Sequence, residues 1–272
     1  MNSTLVSWWT LLKRESLRFL RVPVVTVVPA LVTALFYFLI FGLVIGSRIE
    51  NIQGIEYIAF IVPGLLVQNV LSGSYSNPSG SLFIARKYSN ITDFLLAPIG
   101  YLPFTVIHVL AGITRGTILG VGTLIIAALM TDITVHSISF FLVYMILISG
   151  TFACLGLIIG IWANDFQQLN IFTNFLVTPL TFLGGVFYSL DMVNPLLRAV
   201  TQLNPIYYMV AGVRYGMVGF QEVSVWIGIV FLCIVFAALF FTAFLSCENW
   251  ISFTRLNLEH FFFRFMHFSG YY

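Results

Sequence analysis

The sequence predicts an all-α integral membrane protein with six spans, an N-terminal interfacial helix and a pair of short helices before the last span. Three observations carry this. Only 8% of the 272 residues are charged, 60% are hydrophobic, and the mean hydropathy is +1.00. A water-soluble domain carries about 25% charged residues to cover its surface. Apolar runs of about 20 residues, long enough to cross a hydrocarbon core, recur along the chain. The charges gather in short islands between those runs.

Residues 1–23 read as an amphipathic helix. At about 100° per residue, Leu5, Trp8, Leu12 and Phe19 share one face, while Arg14, Arg18 and Arg21 share another. Such a helix lies in the interface with its tryptophans down and its arginines toward lipid phosphates. The alternative is a plain charged flank of the first span. The run that follows is too long for a signal-peptide core, so the first span is expected to stay attached.

The transmembrane domain, 24–246, holds spans predicted near Val24 to Ile45, Tyr57 to Tyr75, Pro103 to Leu129, Ile138 to Ala163, Leu169 to Phe187 and Val225 to Leu245. Six spans put both termini on one side. With the N-terminus inside, Lys13, Arg14, Arg18, Arg21, Arg86, Lys87, Arg255 and Arg264 are cytoplasmic. Arg48, Arg198 and Arg214 are left outside, and Arg115 lies within a span. Eight against three satisfies the positive-inside rule and makes 247–272 a cytoplasmic tail.

Between the second and third spans, Ala85 to Gly100 is a charged island. Arg86 and Lys87 lead it, Ser89 or Asn90 can cap a short helix, Asp93 precedes Phe94-Leu95-Leu96, and Pro98 ends it. It reads as a helix that pushes its Phe94/Leu95 edge into a partner, with Arg86 and Lys87 solvated. An interfacial loop is the other reading. Before the last span, Asn194-Pro195 and Asn204-Pro205 each offer a cap followed by proline at the first helical position, and Gly219 is a stop. The two helices, about 190–219, are too short to span and can dip back into the bilayer where protein covers their backbone.

Arg115 sits about 12 residues into the third span, where an arginine costs roughly 2.5 to 3.5 kcal/mol by insertion scales. It faces a pathway and draws an anionic lipid or glycan group, or it caps carbonyls or bonds Asn69 or Gln68 on a neighbouring span. His108, one heptad earlier, reads as an interfacial hydrogen-bonder. Cys154, Cys233 and Cys247 lack the spacing of a disulfide framework or a zinc site. A net charge of +2 without a basic patch argues against nucleic acid. No G-x-x-x-x-G-K-[ST] occurs, so any ATP chemistry belongs to another polypeptide. A secondary transporter or channel would carry carboxylates inside its spans, and a membrane-embedded lipid-modifying enzyme would cluster His, Asp or Glu. Asp93, Asp132, Asp165, Asp191 and Glu222 fall at loops or span ends, and the histidines are scattered.

Several motifs in order carry a family resemblance: FIVPGLL at Phe60 to Leu66, LLAP at Leu95 to Pro98, TPLTFLGGVFYSL at Thr178 to Leu190, and the stretch that continues to Gly219. From about Trp8 to Leu245 the chain resembles the permease subunit of type-2 ABC exporters, above all the bacterial inner-membrane permeases. The resemblance implies that residues 85–98 form a coupling helix docked on an ATP-binding subunit, through Arg86, Lys87, Asp93, Phe94 and Leu95. It implies that the N-terminal helix braces that interface and that the paired short helices cap the path outside. The resemblance also implies that a second copy of the chain meets the first through the first and fifth spans, and that two ATP-binding subunits hold the ATP and magnesium. The chain itself then binds no cofactor. Substrates of the family are glycans, lipids and hydrophobic drugs.

Overall fold

The computed structural model describes residues 3–46, 51–52, 54–87, 100–131 and 135–269, with side chains from Val6 to Phe253 apart from Leu43. Helix α1, Ser3–Arg18, passes through a 3-10 turn at Phe19–Arg21 into the first predicted span. That span is helical but broken, as α2 (Pro23–Thr26), α3 (Val28–Phe38) and a π-helical stretch (Leu39–Ile45). Pro29 has no N–H to give the preceding turn, so the ladder breaks at Val27. Thr26 Oγ1 stitches the break by donating to the carbonyls of Phe19 at 2.6 Å and Val22 at 2.8 Å. A small antiparallel hairpin, β1 (Asn51–Ile52) and β2 (Ile55–Glu56), turns at Gly54, whose φ is +83°.

Among the described residues, four helices are long and apolar enough to cross a membrane by length and composition. They are α4 (Tyr57–Lys87), α5 (Tyr101–Met130), α6 (Ile138–Trp162) and α11 (Val225–Ser269), the last apolar over Val225–Phe253. The fifth predicted span is divided, as the first is, into α7 (Phe166–Phe172), a π-helical Thr173–Val177 and α8 (Thr178–Phe182). At 1.5 Å per residue, 166–182 covers about 25 Å, short of a hydrocarbon core of about 30 Å. Then come α9 (Pro195–Leu203) and α10 (Pro205–Val218). Helix α11 runs through residue 246 with no break where the last span and the tail were expected to part.

Helix α4 is the centre of the bundle, buried almost continuously from Tyr57 to Leu71. Water drives no hydrophobic association between helices within lipid, so small residues that let backbones approach hold such bundles together. Gly112 and Gly116 of α5 and Gly156 and Gly160 of α6 provide that approach, facing Ser74, Tyr75 and Ser79 of α4. A Cβ on Gly156 would fall on the Tyr75 carbonyl, whereas one on Gly80 would meet nothing within 4 Å. Gly156→Leu is therefore expected to cost about 1–3 kcal/mol or more. Gly80→Ala should leave the thermal midpoint in detergent near that of the parent, and equal melting of the two would refute this packing.

The second predicted span stopped at Tyr75, before the polar run Ser76 to Ser81. The helix instead continues to Lys87 through Pro63 and Pro78. The run is buried by packing rather than solvated: Asn77, Ser79 and Ser81 are nearly inaccessible. Ser79 Oγ donates to the Tyr75 carbonyl at 2.8 Å, and Arg18 Nη2 donates to the Asn77 carbonyl at 2.7 Å, next to Pro78. Tertiary contacts thus hold a helix that propensity alone would end.

Candidate functional site

Arg86 and Lys87 form the last turn of α4, so they belong to the long helix and not to the short one expected after it. Asp93, Phe94 and Leu95 lie outside the described residues, as does the proposed cap at Ser89 or Asn90. Lys87 is exposed, its ammonium 5.8 Å from the Phe83 ring centroid. Arg86, expected in solvent, turns back into the protein. Its Nη1 donates to the carbonyls of Ile161 at 2.6 Å, Ala163 at 3.0 Å and Gly160 at 3.3 Å. The last carbonyls of a helix have no donors within it and carry partial negative charge, which a guanidinium satisfies and neutralises. Removing Arg86 is therefore not the small change that a solvated charge would make.

One side of α1 packs against the rest of the protein. Leu11, Glu15 and Phe19 are buried, Arg18 is partly so, and Trp8 and Trp9 point outward, Trp9 being 66% accessible. Glu15, only 2% accessible, accepts a hydrogen bond from Ser81 Oγ and lies 3.6 Å from Arg18 Nε. Arg18 is thus tied to α4 and not to lipid phosphate, while Arg14 and Arg21 remain exposed. The lone acid in a basic helix was the signal for this node, and sequence reasoning passed over it.

Arg115 donates to the Thr26 carbonyl at 3.1 Å, at the break in the first span, and stands 5.9 Å from the Phe19 ring centroid. Of the readings open from sequence, carbonyl capping describes this contact. The structure does not bring Arg115 to Asn69, which donates to Thr123 Oγ1 at 2.9 Å and to the Ala30 carbonyl at 3.5 Å. Thr123 is eight residues beyond Arg115 on α5, about 12 Å along the axis. Gln68 is half-buried beside Asn69. His108 is buried on α5, its Nδ1 2.9 Å from the Phe104 carbonyl.

At the other end of the bundle Arg214, counted from sequence among the outside charges, is 0% accessible. It joins four pieces of chain. Nη2 donates to the Gly185 carbonyl at 2.8 Å, Nε to the Phe60 carbonyl at 3.3 Å, and the guanidinium stacks 3.7 Å from the Phe60 ring centroid. Nη1 is 2.9 Å from Glu222 Oε2 without reaching hydrogen-bond geometry. The flanking helices carry the expected caps. Asn194 accepts from the Leu197 N–H at 2.8 Å, Asn204 from the Ile206 N–H at 3.0 Å, and Gly219 closes α10 at φ +75°.

A groove of about 220 Å³ opens between α4 and α7. Ser72, Tyr75, Ser76 and Ser79 line it from one side and Asn170 and Thr173 from the other. Among the described residues, no ionised group appears in its lining. Beside the apolar Phe166 and Leu169, these hydroxyls and amides provide neutral hydrogen-bond donors and acceptors, and the sequence reading did not single them out.

The fold and these contacts define a multi-span helical membrane protein whose charges fasten helix ends and whose uncharged polar groups open a groove. The sequence profile described as ABC-2 type transporter matches residues 6–218. The inner membrane transport permease YadH of Escherichia coli K12 is 38% identical over 220 residues, covering 79% of this chain and 86% of that protein. Nodulation protein J of Rhizobium meliloti is 22% identical over 228 residues, covering 84% and 87%, and that of Neorhizobium galegae is 20% identical over 248 residues, covering 89% and 93%. The chain belongs to the ABC-2 type transporter family. It is a transmembrane permease subunit of an ABC transporter, and that family works with ATP-binding subunits.

Proposed function

We propose that the chain is the membrane part of an exporter of the bacterial inner membrane, in which two copies form the path and two ATP-binding subunits dock from the cytoplasm. The match of the family profile over residues 6–218 carries this reading. ATP and its magnesium belong to the docked subunits. The substrate is an amphipathic lipid, glycan or hydrophobic compound, for which the uncharged groove between α4 and α7 offers hydroxyl and amide partners. Counting the two broken helical segments, 23–45 and 166–182, as spans gives six, with α9 and α10 as a re-entrant cap outside. Residues 1–23 lie in the inner interface, where exposed Arg14 and Arg21 meet lipid phosphates.

Orientation follows from charge and is supported by geometry. Arg86 binds the end of α6 and Arg18 binds α4, so two of the cations assigned to the cytoplasm fasten the same end of the bundle. A cysteine at position 88 should stay unlabelled by an impermeant thiol reagent added to intact cells. Labelling there would overturn the topology. The copy number is read by native mass spectrometry of the complex with its ATP-binding subunits, two permease chains being expected and one refuting the dimer.

A further inference from the structure

We propose that Arg86 is a positioning residue that carries movement of the docking segment to α7. The inference rests on the docking reading of residues 85–98. Helix α6 ends at Trp162 and α7 begins at Phe166, so residues 163–165 form an elbow between them. All three carbonyls that Arg86 holds, those of Gly160, Ile161 and Ala163, belong to this elbow or the turn leading into it. Beneath the guanidinium, Phe83, Ala163 and Leu169 are buried together, and the Phe83 ring meets that of Phe166 edge-on at 5.8 Å. The last turn of α4 therefore grips the elbow twice, by charge-assisted hydrogen bonds and by apolar packing.

One side of the grip is the last turn of α4, after which the chain continues in sequence into the proposed docking segment. The other leads into α7 and the π-helical stretch after it, where Asn170 and Thr173 line the groove about 8 and 12 Å from the elbow along the helix. A displacement at the end of α4 that keeps the grip intact moves the elbow and with it one wall of the groove. A displacement that breaks the grip moves the docking segment alone. All three contacts come from Nη1, which the rigid planar guanidinium holds in place over the elbow, whereas a lysine ammonium is a flexible point charge.

The test uses the full chain copurified with its ATP-binding subunits in nanodiscs, in a Cys233→Ser background that leaves only the buried Cys154 and Cys247. Nitroxide pairs are placed by Ser89→Cys with Leu102→Cys and by Gln167→Cys with Leu102→Cys, Leu102 and Gln167 both being exposed. Distances are compared without nucleotide and after ATP–vanadate trapping. With Arg86 present, both pairs shift. In Arg86→Gln the shift at 89 persists and that at 167 is lost, and Arg86→Lys recovers part of it. The proposal is overturned if the 167 pair shifts fully in Arg86→Gln, or if the parent complex shows no shift there. It is also overturned if Arg86→Gln sheds the ATP-binding subunits during purification, since Arg86 would then be a docking contact. If Arg86→Gln does not accumulate in the membrane, Arg86→Lys carries the comparison, a reduced 167 shift supporting the proposal and a full one refuting it. The docking reading fails separately, when Phe94→Ala and Leu95→Ala complexes retain their ATP-binding subunits in full.

Discussion

Arg214→Ala is expected to destabilise the protein by about 3–5 kcal/mol, because it leaves the Glu222 carboxylate buried and unpaired. The arginine is fully inaccessible, and it is the partner that joins Glu222 to Phe60, Gly185 and α10. Burial pushes the Glu222 carboxyl up from its ordinary range even with Arg214 beside it. Desolvation therefore outweighs the attraction, and the pair is better regarded as a fastener than as a source of net stability. Arg214→Met combined with Glu222→Gln removes both charges and is expected to recover most of the loss. By contrast Arg198 and Asp191, 3.8 Å apart and both more than half exposed, form a surface pair, so Arg198→Ala should cost about 0–1 kcal/mol. Thermal melting of the three variants in detergent decides. An Arg214→Ala midpoint equal to that of Arg198→Ala, or a double variant no better than the single one, would refute the account.

What could be read from the chain was what is local. Asn194 and Asn204 cap the helices that start at the next residue, and Gly219 ends one by adopting a left-handed φ, so each signal lies beside its effect. The long apolar helices were legible for the same reason, through composition within a window. Arg86, Arg18 and Arg214 were misjudged because hydropathy treats a charge as solvated. Their carbonyl partners lie 75, 59 and 154 residues away for Ile161, Asn77 and Phe60. The end of the second span was missed by the same logic. Ser76 to Ser81 resembles a loop by propensity, but Arg18, Glu15 and the glycines of α5 and α6 bury it as helix. Of the groups expected to line a path, Arg115 Nη2 meets the Thr26 carbonyl and Asn69 meets the Thr123 hydroxyl, whereas the groove's serines are too small and neutral to register against apolar neighbours.

Phe94→Ala and Leu95→Ala are each expected to weaken docking of the ATP-binding subunit roughly ten- to a hundredfold, since burying either side chain in a partner groove contributes about 1.5 to 3 kcal/mol. The reasoning starts from the island's composition, in which Asp93 opens a Phe-Leu-Leu edge that Pro98 closes. The resemblance of the segment ending LLAP to permeases of this family implies that such an edge docks on the ATP-binding subunit. Lys87 sharpens the comparison. It is exposed, and its neighbour Arg86 is engaged with α6, so Lys87→Ala removes a solvated charge worth roughly 0 to 1 kcal/mol. Phe94 and Leu95 lie beyond the last described residue of α4 and Lys87 is its exposed final residue, so membrane insertion and assembly of the permease should persist while the Phe94 and Leu95 variants lose ATP-binding subunit from the purified complex and ATP-driven transport falls with it. Copurification ratios at increasing salt separate the alternatives. Apolar docking predicts that the Phe94 and Leu95 variants lose the subunit at every ionic strength, with Lys87→Ala close to the parent. A dominant effect of Lys87→Ala that vanishes at high salt, with Phe94→Ala silent, would make the docking electrostatic and move the buried face elsewhere on the segment.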